Sequence, residues 1–178
     1  MKKEFEEKTI TSKKIFDGKI IKLFVDEVVL PNGQQSKREI VKHPGAVAVV
    51  AITNEDKLVL VKQYRKALEK TTLEIPAGKL EAGEEPVECA IRELEEETGY
   101  RAKHVQPLYS FYTSPGFADE IIHLFWAEDL EQGVVQLDQD EFVDLVEYSL
   151  EECVAAIEAN QICDAKTILA VHLWKQKR

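Results

Sequence analysis

The sequence predicts an α/β sandwich, in which a mixed β-sheet lies between helices, and three observations indicate this fold class. Residues 46–52 form an apolar run that suits a strand buried on both faces. Residues 86–99 carry apolar side chains at helical spacing. Strand-like segments lie before and after this helix, and two further helices are predicted near the C-terminus. Mixed strands with helices between and after them are typical of an α/β protein.

An antiparallel β-hairpin is predicted at the N-terminus. Residues 21–30 and 37–42 alternate in side-chain character, as strands with one buried face do. Asn32-Gly33 lies between these segments, and this dipeptide favours the tight turn of a hairpin. Because a hairpin is only marginally stable by itself, we expect it to pack against another surface.

The segment His43-Pro44-Gly45 separates the hairpin from the rest of the chain. We therefore predict an N-terminal extension over residues 1–44 and a main domain over residues 45–178. The predicted strands of the main domain cover residues 46–52, 57–63, 71–75, 105–112, 120–127 and 142–148.

The two C-terminal helices are predicted from their caps. Ser149 and Glu152 have the spacing of a capping box, in which each side chain bonds the backbone of the other residue. Asp164 is the predicted cap of the last helix. The residues expected to face inward from that helix are Ile168, Val171 and Trp174.

The helix within residues 86–99 is the most informative segment of the chain. Pro86 suits the first helical turn and Gly99 suits the stop. The predicted buried stripe comprises Val87, Ala90, Ile91, Leu94 and Thr98. The carboxylates of Glu93, Glu96 and Glu97 are predicted to lie together on a face away from that stripe.

These acidic side chains stand at spacings i, i+3 and i+4, where like charges repel by about 0.2–0.5 kcal/mol per close pair. A hard divalent cation would reverse the sign of that interaction, because it prefers clustered carboxylate oxygens. An acidic, solvated helix face is the alternative. An adjacent Arg92 and two loop glycines, Gly78 and Gly83, favour the metal site over a solvated surface.

This stretch resembles the signature of the Nudix hydrolases. The pattern is a glycine, five residues, a glutamate, seven residues, Arg-Glu-Leu, one residue, Glu-Glu, one residue and a glycine. The positions that fill it are Gly78, Glu84, Arg92, Glu93, Leu94, Glu96, Glu97 and Gly99. The family usually closes the pattern with an aliphatic residue, where this chain has Tyr100, a difference that concerns packing rather than chemistry.

The resemblance implies the Nudix fold, a mixed sheet between helices, and a metal-dependent hydrolase. It assigns Glu93, Glu96 and Glu97 as ligands of Mg²⁺, or of Mn²⁺ in its place, with the backbone carbonyl of Ala77 completing the site. Arg92 and Glu84 would hold these ligands in position. Such a metal centre supports hydrolysis of a pyrophosphate by attack of water on phosphorus.

A general base is expected outside the helix, because a bound cation depresses the pKa of carboxylates that are committed to it. The acidic segment 138–141 precedes the last predicted strand, and the resemblance places a catalytic glutamate in such a loop. Glu141 is the predicted base, with Asp138 and Asp140 as alternatives. Glu96, Arg92 and Glu141 are thus the predicted catalytic residues.

Four residues outside the signature are predicted to bind substrate. Arg65 resembles the family's phosphate-facing arginine, with an ordinary surface cation as the alternative. Pro115 lies sixteen residues beyond Gly99, which resembles the marker of the ADP-ribose pyrophosphatase branch. Glu120 stands where that branch contacts the terminal ribose. Arg38, in the hairpin, would reach the site of a second subunit if the hairpin is a dimer element, as the resemblance implies.

Composition excludes several functions. The net charge of −10 disfavours non-specific nucleic-acid binding and an anionic membrane surface. No apolar stretch is long enough to span a bilayer, and the N-terminus does not resemble a signal peptide. The odd number of cysteines, Cys89, Cys153 and Cys163, predicts reduced thiols in a cytoplasmic protein.

The predicted function is therefore Mg²⁺-dependent hydrolysis of ADP-ribose to AMP and ribose 5-phosphate by a homodimer. Hydrolysis of another nucleotide-sugar, such as a GDP-mannose type, is the first alternative. A Nudix-like sensor that binds a nucleotide without cleaving it is the second, but the chain retains Glu93, Glu96 and Glu97. A nucleoside-triphosphate hydrolase ranks lower, because the N-terminal hairpin and the Pro115 loop fit the ADP-ribose branch better.

Overall fold

The computed structural model describes residues 4–137 and 142–178, which form two compact units. The first unit contains the described residues up to Gly45 together with Phe111–Ile121. The second contains Ala46–Ser110 and the described part of Ile122–Arg178. None of the helices in these residues is both long enough and apolar enough to cross a membrane.

The first unit is built on a three-stranded antiparallel sheet in the order β1-β2-β3. Its strands are β1 (Lys8–Asp17), β2 (Lys22–Val29) and β3 (Gln35–Lys42). The predicted hairpin is confirmed, because β2 pairs with β3 and Gly33 adopts the positive φ of 85° that its turn requires. Strands were expected over the first forty or so residues, but no bounds were predicted for β1. All ten of its residues are exposed, so burial imposed no alternation on its sequence.

A mixed four-stranded sheet has the order β7-β4-β9-β8, and its strands belong to the second unit except for the last two residues of β8 and the first residue of β9. Its strands are β4 (Ala46–Ala51), β7 (Ala77–Lys79), β8 (Tyr100–Tyr112) and β9 (Ile121–Gln132). Strand β4 runs parallel to β9 and antiparallel to β7. Val47, Val49 and Val50 of β4 are fully buried, which confirms the strand predicted from the apolar run.

A second, antiparallel sheet in the same unit has the order β10-β5-β6. Its strands are β5 (Leu58–Arg65), β6 (Lys70–Glu74) and β10 (Val143–Tyr148). The pairing of β5 with β6 places Val61 opposite Glu74 and Arg65 opposite Lys70. Arg65 and Glu74 therefore lie at opposite ends of the paired segment, and it is their side chains that meet along it.

The three described helices begin at predicted signals, and they are α1 (Pro86–Thr98), α2 (Leu150–Glu158) and α3 (Ala165–Lys177). Gly99 ends α1 in the left-handed conformation, with φ 70°. The capping box of Ser149 and Glu152 is present in both directions. Asp164 caps α3 by accepting a hydrogen bond from the Thr167 N–H. Val171 and Trp174 of α3 are buried and Ile168 is half-buried.

The buried face of α1 differs from the predicted stripe. Val87 and Ile91 are exposed, whereas Cys89 and Glu97 are buried. The reason is β7, which the sequence analysis treated as a loop. This short strand packs against α1 together with β4 and covers the acidic side of the helix. Two glutamates of the signature, Glu93 and Glu97, are therefore drawn toward the interior.

Candidate functional site

Strand β7 and helix α1 bring the ends of the acidic signature together. Gly78 of β7 lies directly under the Glu93 side chain, and a Cβ at Gly78 would overlap the Glu93 carboxyl group. The first glycine of the signature is thus required by close approach rather than by backbone conformation. Its absent side chain makes the space in which the Glu93 carboxylate lies.

Arg92 is the hub of the cluster. Its Nε donates to Oε1 of Glu84 at 2.9 Å and its Nη2 donates to Oε2 of the same carboxylate at 3.1 Å. Its Nη1 donates to Glu93 Oε1 and to Glu96 Oε2, both at 2.9 Å. One guanidinium therefore holds three carboxylates, two of them predicted metal ligands, at separations that their mutual repulsion would otherwise oppose.

The charges in this cluster stabilise each other. The hydrogen bond from Arg92 holds the pKa of Glu84 at about 2, against the opposing effect of burial. Glu84 in turn raises the pKa of Arg92, and Glu93 and Glu96 add to that effect. Glu84 also accepts the backbone N–H of Glu81 at 3.0 Å, so it is tied to the loop before α1. Glu84 and Arg92 therefore both remain charged at neutral pH.

Glu97 is held by the backbone of β7. Its Oε2 accepts the Ala77 N–H at 3.0 Å, and the residue is only 6% exposed. The predicted ligands Ala77 and Glu97 are therefore neighbours. Glu96, with a side chain 37% exposed, is the most accessible of the three predicted helical ligands. The burial of Glu97 was not predicted from the sequence.

The donor set at this end of α1 fits a hard divalent cation, because Glu93, Glu96 and Glu97 supply carboxylate oxygens from within about one helical turn. The cradle over Gly78 places one of these carboxylates against β7. In the arrangement that the described residues adopt, no three histidine, cysteine, aspartate or glutamate side chains stand together as a metal-binding group. Arg92 is hydrogen-bonded to two of the three carboxylates instead.

A groove of about 390 Å³ runs along the outer side of α1. Its walls include Arg92 and Glu96 on the helix and Val134 and Gln136 in the segment after β9. The Gln136 N–H donates to the Glu96 backbone oxygen at 3.1 Å, which fixes that segment to the helix. The volume lies within the range of small-molecule sites.

Arg65 lies at the end of β5, and its guanidinium is engaged by Glu74. Its Nε and Nη2 donate to the two carboxylate oxygens of Glu74 at 2.8 Å and 2.7 Å. Lys166 of α3 donates to the same carboxylate. Glu74 and Lys166 were not predicted as site residues. The signal that could have found Glu74 is a charged residue between Leu73 and Ile75, inside an otherwise apolar strand end.

The remaining predicted substrate residues belong to the first unit. Arg38 pairs with Glu7, at 2.8 Å and 2.6 Å. Pro115 lies in an exposed turn in which the Ser114 backbone oxygen accepts the Phe117 N–H. Their roles in binding stay predictions.

Glu120 is held by neighbours in its own unit. Its Oε2 accepts the Thr113 hydroxyl at 2.6 Å, and its Oε1 lies 3.7 Å from His43 Nε2. The carboxylate is therefore oriented but still a third exposed, and contact with a ribose stays a prediction.

The predicted general base cannot be placed. Glu141 and its alternatives, Asp138 and Asp140, lie outside the described residues. Cys89, one of three free cysteines, is a further residue of the cluster that the sequence analysis left out. Its sulfur accepts a hydrogen bond from Arg92 Nη2 at 3.3 Å, and burial raises the pKa of this thiol to about 12.

Comparison with known families matches almost the whole chain. The model of the NUDIX domain matches residues 42–170. The model of the nucleoside diphosphate sugar hydrolase N-terminal domain matches residues 7–41. The chain also resembles a solved structure described as the crystal structure of ADP compounds hydrolase, with a TM-score of 0.87 and 22% identity over 99% of this chain and 96% of that one. At this identity the likeness shows the fold.

Two bacterial relatives cover nearly the full length. The methanol dehydrogenase activator of Bacillus methanolicus is 61% identical over 96% of this chain and 94% of its own. The ADP-ribose pyrophosphatase of Bacillus subtilis (strain 168) is 56% identical over 98% of this chain and 96% of its own.

The substitution Gly78→Ala tests the packing of Glu93 on β7. The added Cβ must displace the Glu93 carboxylate, so we expect the affinity for Mn²⁺, measured by electron paramagnetic resonance, to fall by roughly 10–100-fold. Gly116→Ala is the control, because a Cβ there would meet nothing within 4 Å. If a folded Gly78→Ala protein bound Mn²⁺ with unchanged affinity, the prediction that Glu93 is a metal ligand would be wrong.

Proposed function

The chain belongs to the Nudix family, and from this premise we propose that it is a metal-dependent pyrophosphatase that converts ADP-ribose to AMP and ribose 5-phosphate. The observation that carries the proposal is the acidic cluster of α1, in which Arg92 and Gly78 hold Glu93 and Glu96 in a fixed arrangement. The 56% identity to a Bacillus subtilis ADP-ribose pyrophosphatase supports this choice of substrate.

Nudix hydrolases generally need a divalent metal, and we propose Mg²⁺ for this chain, with Mn²⁺ as a substitute. Its ligands are Glu93, Glu96, Glu97 and the backbone carbonyl of Ala77. Oxygen donors of this kind suit Mg²⁺. When bound, the ion neutralises phosphate oxygens and lowers the pKa of a coordinated water.

The other residues of the cluster act by position. Arg92 and Glu84 orient the carboxylates of Glu93 and Glu96, and the Ala77 N–H orients Glu97. Arg65 supplies a fixed positive charge for the diphosphate of the substrate. The groove beside Glu96 offers room for part of a nucleotide.

Three features of the proposal concern the whole protein. We propose that residues 1–44 form an extension that joins two chains as a homodimer, with Arg38 near the partner's site, and that the protein works in the cytoplasm. The exposed β1 supports such an interface. Light scattering should give a mass of twice 20.3 kDa, and a fully active monomer would refute the dimer.

A second candidate function follows from the relative in Bacillus methanolicus, whose name is methanol dehydrogenase activator. The chain would then raise the rate of a dehydrogenase. The test is to measure the rate of a methanol dehydrogenase with the wild-type chain and with a Glu97→Gln variant. Activation by wild type alone would mean that the acidic cluster is needed, and activation by both would mean that binding is sufficient.

The proposal is tested by incubating the full chain and Mg²⁺ with ADP-ribose, other nucleotide-sugars, dinucleotide cofactors and triphosphates, and identifying the products. AMP and ribose 5-phosphate should form fastest. Preference for a GDP-sugar would support the alternative nucleotide-sugar reading, which the N-terminal family match at residues 7–41 also accommodates. Binding without any cleavage would support a sensor.

The metal assignment predicts that Glu93→Gln and Glu97→Gln each lower kcat for ADP-ribose by at least about 100-fold at saturating Mg²⁺, since each loses a charged ligand. Glu85→Gln is the matched control, because Glu85 is an exposed carboxylate at the start of the same helix and its side chain makes no capping hydrogen bond. Turnover near that of the wild type in either ligand variant, with the protein folded, would disprove the assignment.

The base assignment predicts that Glu141→Gln lowers kcat by roughly 10²–10⁴-fold, the usual contribution of general base catalysis. It should also remove the acidic limb of the pH–rate profile, because that limb reports the base. Asp140→Asn is the comparison within the same acidic segment. Wild-type rates in both variants would place the base elsewhere.

The specificity assignment predicts that Glu120→Ala reduces the preference for ADP-ribose over other ADP-sugars while hydrolysis continues. A hydrogen bond to a charged acceptor contributes about 1.5–3 kcal/mol, enough for tenfold or greater discrimination. Ratios of kcat/KM measure the effect, and Glu128→Ala, an exposed carboxylate of β9, is the control. An unaltered substrate ranking in Glu120→Ala would refute the role.

A further inference from the structure

Glu74 is a buried carboxylate for which the site described above has no use. It is 2% exposed and lies at the end of β6 between the apolar residues Leu73 and Ile75. Placing a charge there is costly, and replacing a buried ion pair by apolar residues is often neutral or stabilising. The position therefore calls for an explanation beyond stability.

The donors around Glu74 come from three elements. Oε1 accepts Arg65 Nε at 2.8 Å and the Thr72 hydroxyl at 2.7 Å. Oε2 accepts Arg65 Nη2 at 2.7 Å and the Lys166 ammonium. Because β5, β6 and α3 all contribute, the carboxylate is held on both oxygens and cannot turn away from the guanidinium.

Lys166 is itself fixed. Its side chain is only 10% exposed, and its ammonium also donates to Asp164 Oδ1 at 2.9 Å. Asp164 caps α3, so the orientation of Lys166 depends on the start of that helix. These contacts link four charged side chains in a series that begins inside the second unit and ends at a partly exposed arginine. In order, they are Asp164, Lys166, Glu74 and Arg65.

Arg65, at the exposed end of this series of charged side chains, faces the acidic helix α1. The Arg65 side chain is 42% exposed, and the negative charge of Glu97, after that of Glu74, raises the pKa of Arg65. Glu74 is also three residues before Ala77, whose N–H binds Glu97. The strand end that carries Glu74 therefore leads directly into the strand that carries the proposed metal ligands.

We propose that Glu74 is a positioning residue, which holds the Arg65 guanidinium in a fixed plane beside the acidic helix for the diphosphate of the substrate. Two parallel hydrogen bonds fix the plane of an arginine, whereas a single bond would allow it to rotate. Pre-orientation removes the side-chain ordering that Arg65 would otherwise undergo when the substrate binds. The inference rests on the proposed function, because it assigns Arg65 to the diphosphate.

A double-mutant cycle on the full chain with Mg²⁺ tests the proposal. The probe is α,β-methylene ADP-ribose, which cannot be cleaved at the diphosphate, and the dissociation constant is measured for wild type, Glu74→Gln, Arg65→Ala and the double variant. We expect Glu74→Gln to weaken binding about tenfold in the wild-type background and less than about twofold in the Arg65→Ala background, because Glu74 acts through Arg65.

A purely structural role for Glu74 gives a different result. It would weaken binding equally in both backgrounds, or would lower the unfolding temperature without changing the dissociation constant, and either result overturns the inference. Glu69→Gln is the matched control. It makes the same chemical change in the exposed Lys66–Glu69 pair, and binding should not respond.

A milder variant covers the case in which Glu74→Gln does not fold. Thr72→Val keeps the shape of a buried side chain and removes one hydrogen bond from Oε1 of Glu74. We expect binding to weaken about two- to threefold, again only when Arg65 is present. An unchanged dissociation constant in a folded Thr72→Val protein counts against the inference.

Failure of the inference and failure of the proposed function give distinguishable results. If wild type binds the probe and Arg65→Ala weakens binding, but Glu74→Gln and Thr72→Val do not, only the inference is wrong. If wild type does not bind the probe, the proposed substrate is wrong, and the role of Glu74 for that substrate is wrong with it.

Discussion

The carboxylates of Glu93, Glu96 and Glu97 lie within about one turn of α1, and their repulsion must be offset before the helix can pack. Arg92 offsets it by bonding Glu93 and Glu96 from one nitrogen while its other two nitrogens bind Glu84. Because Glu84 belongs to the loop before the helix, the same guanidinium also fixes how the chain enters α1. The close approach of Glu93 to Gly78 and the hydrogen bond from the Ala77 N–H to Glu97 depend on this arrangement, because both require the acidic helix to pack closely on β7.

The buried carboxylates of Glu97 and Glu74, both in the second unit, are stabilised in two different ways. Glu97 accepts a backbone N–H of β7, so its carboxylate is stabilised by a fixed dipole. Burial alone would raise the pKa of Glu74, but Arg65 and Lys166 outweigh it and bring the pKa to about 2. Both carboxylates involve the same short stretch of chain, because Glu74 ends β6 and Ala77, whose N–H binds Glu97, begins β7. Residues 74–77 thereby connect the proposed phosphate-binding arginine with the proposed metal ligands.

The two units of the structure divide the proposed site residues in a way that bears on specificity. The acidic cluster and the Arg65 network lie entirely in the second unit, whereas Arg38, Pro115 and Glu120 belong to the first. Metal-assisted hydrolysis of a pyrophosphate is chemistry that many substrates share, so selection among them has to come from other contacts. The two full-length relatives carry different names, an activator and a pyrophosphatase, at 61% and 56% identity. Residues outside the signature are therefore the place to seek a difference in what is bound.

Local signals in the sequence determined much of this protein. The start and stop of α1, the caps of α2 and α3, the β2–β3 turn and the buried β4 follow from neighbouring residues alone, and so does the acidic signature. Four features were decided by tertiary contacts. Strand β1 has no buried face and hence no pattern, and β7 is too short to show one. The burial of Glu97 rather than Val87 or Ile91 depends on which side of α1 meets β7. Likewise, Glu74 meets Lys166 across 92 residues of sequence, a pairing that only the packing of α3 beside β6 creates.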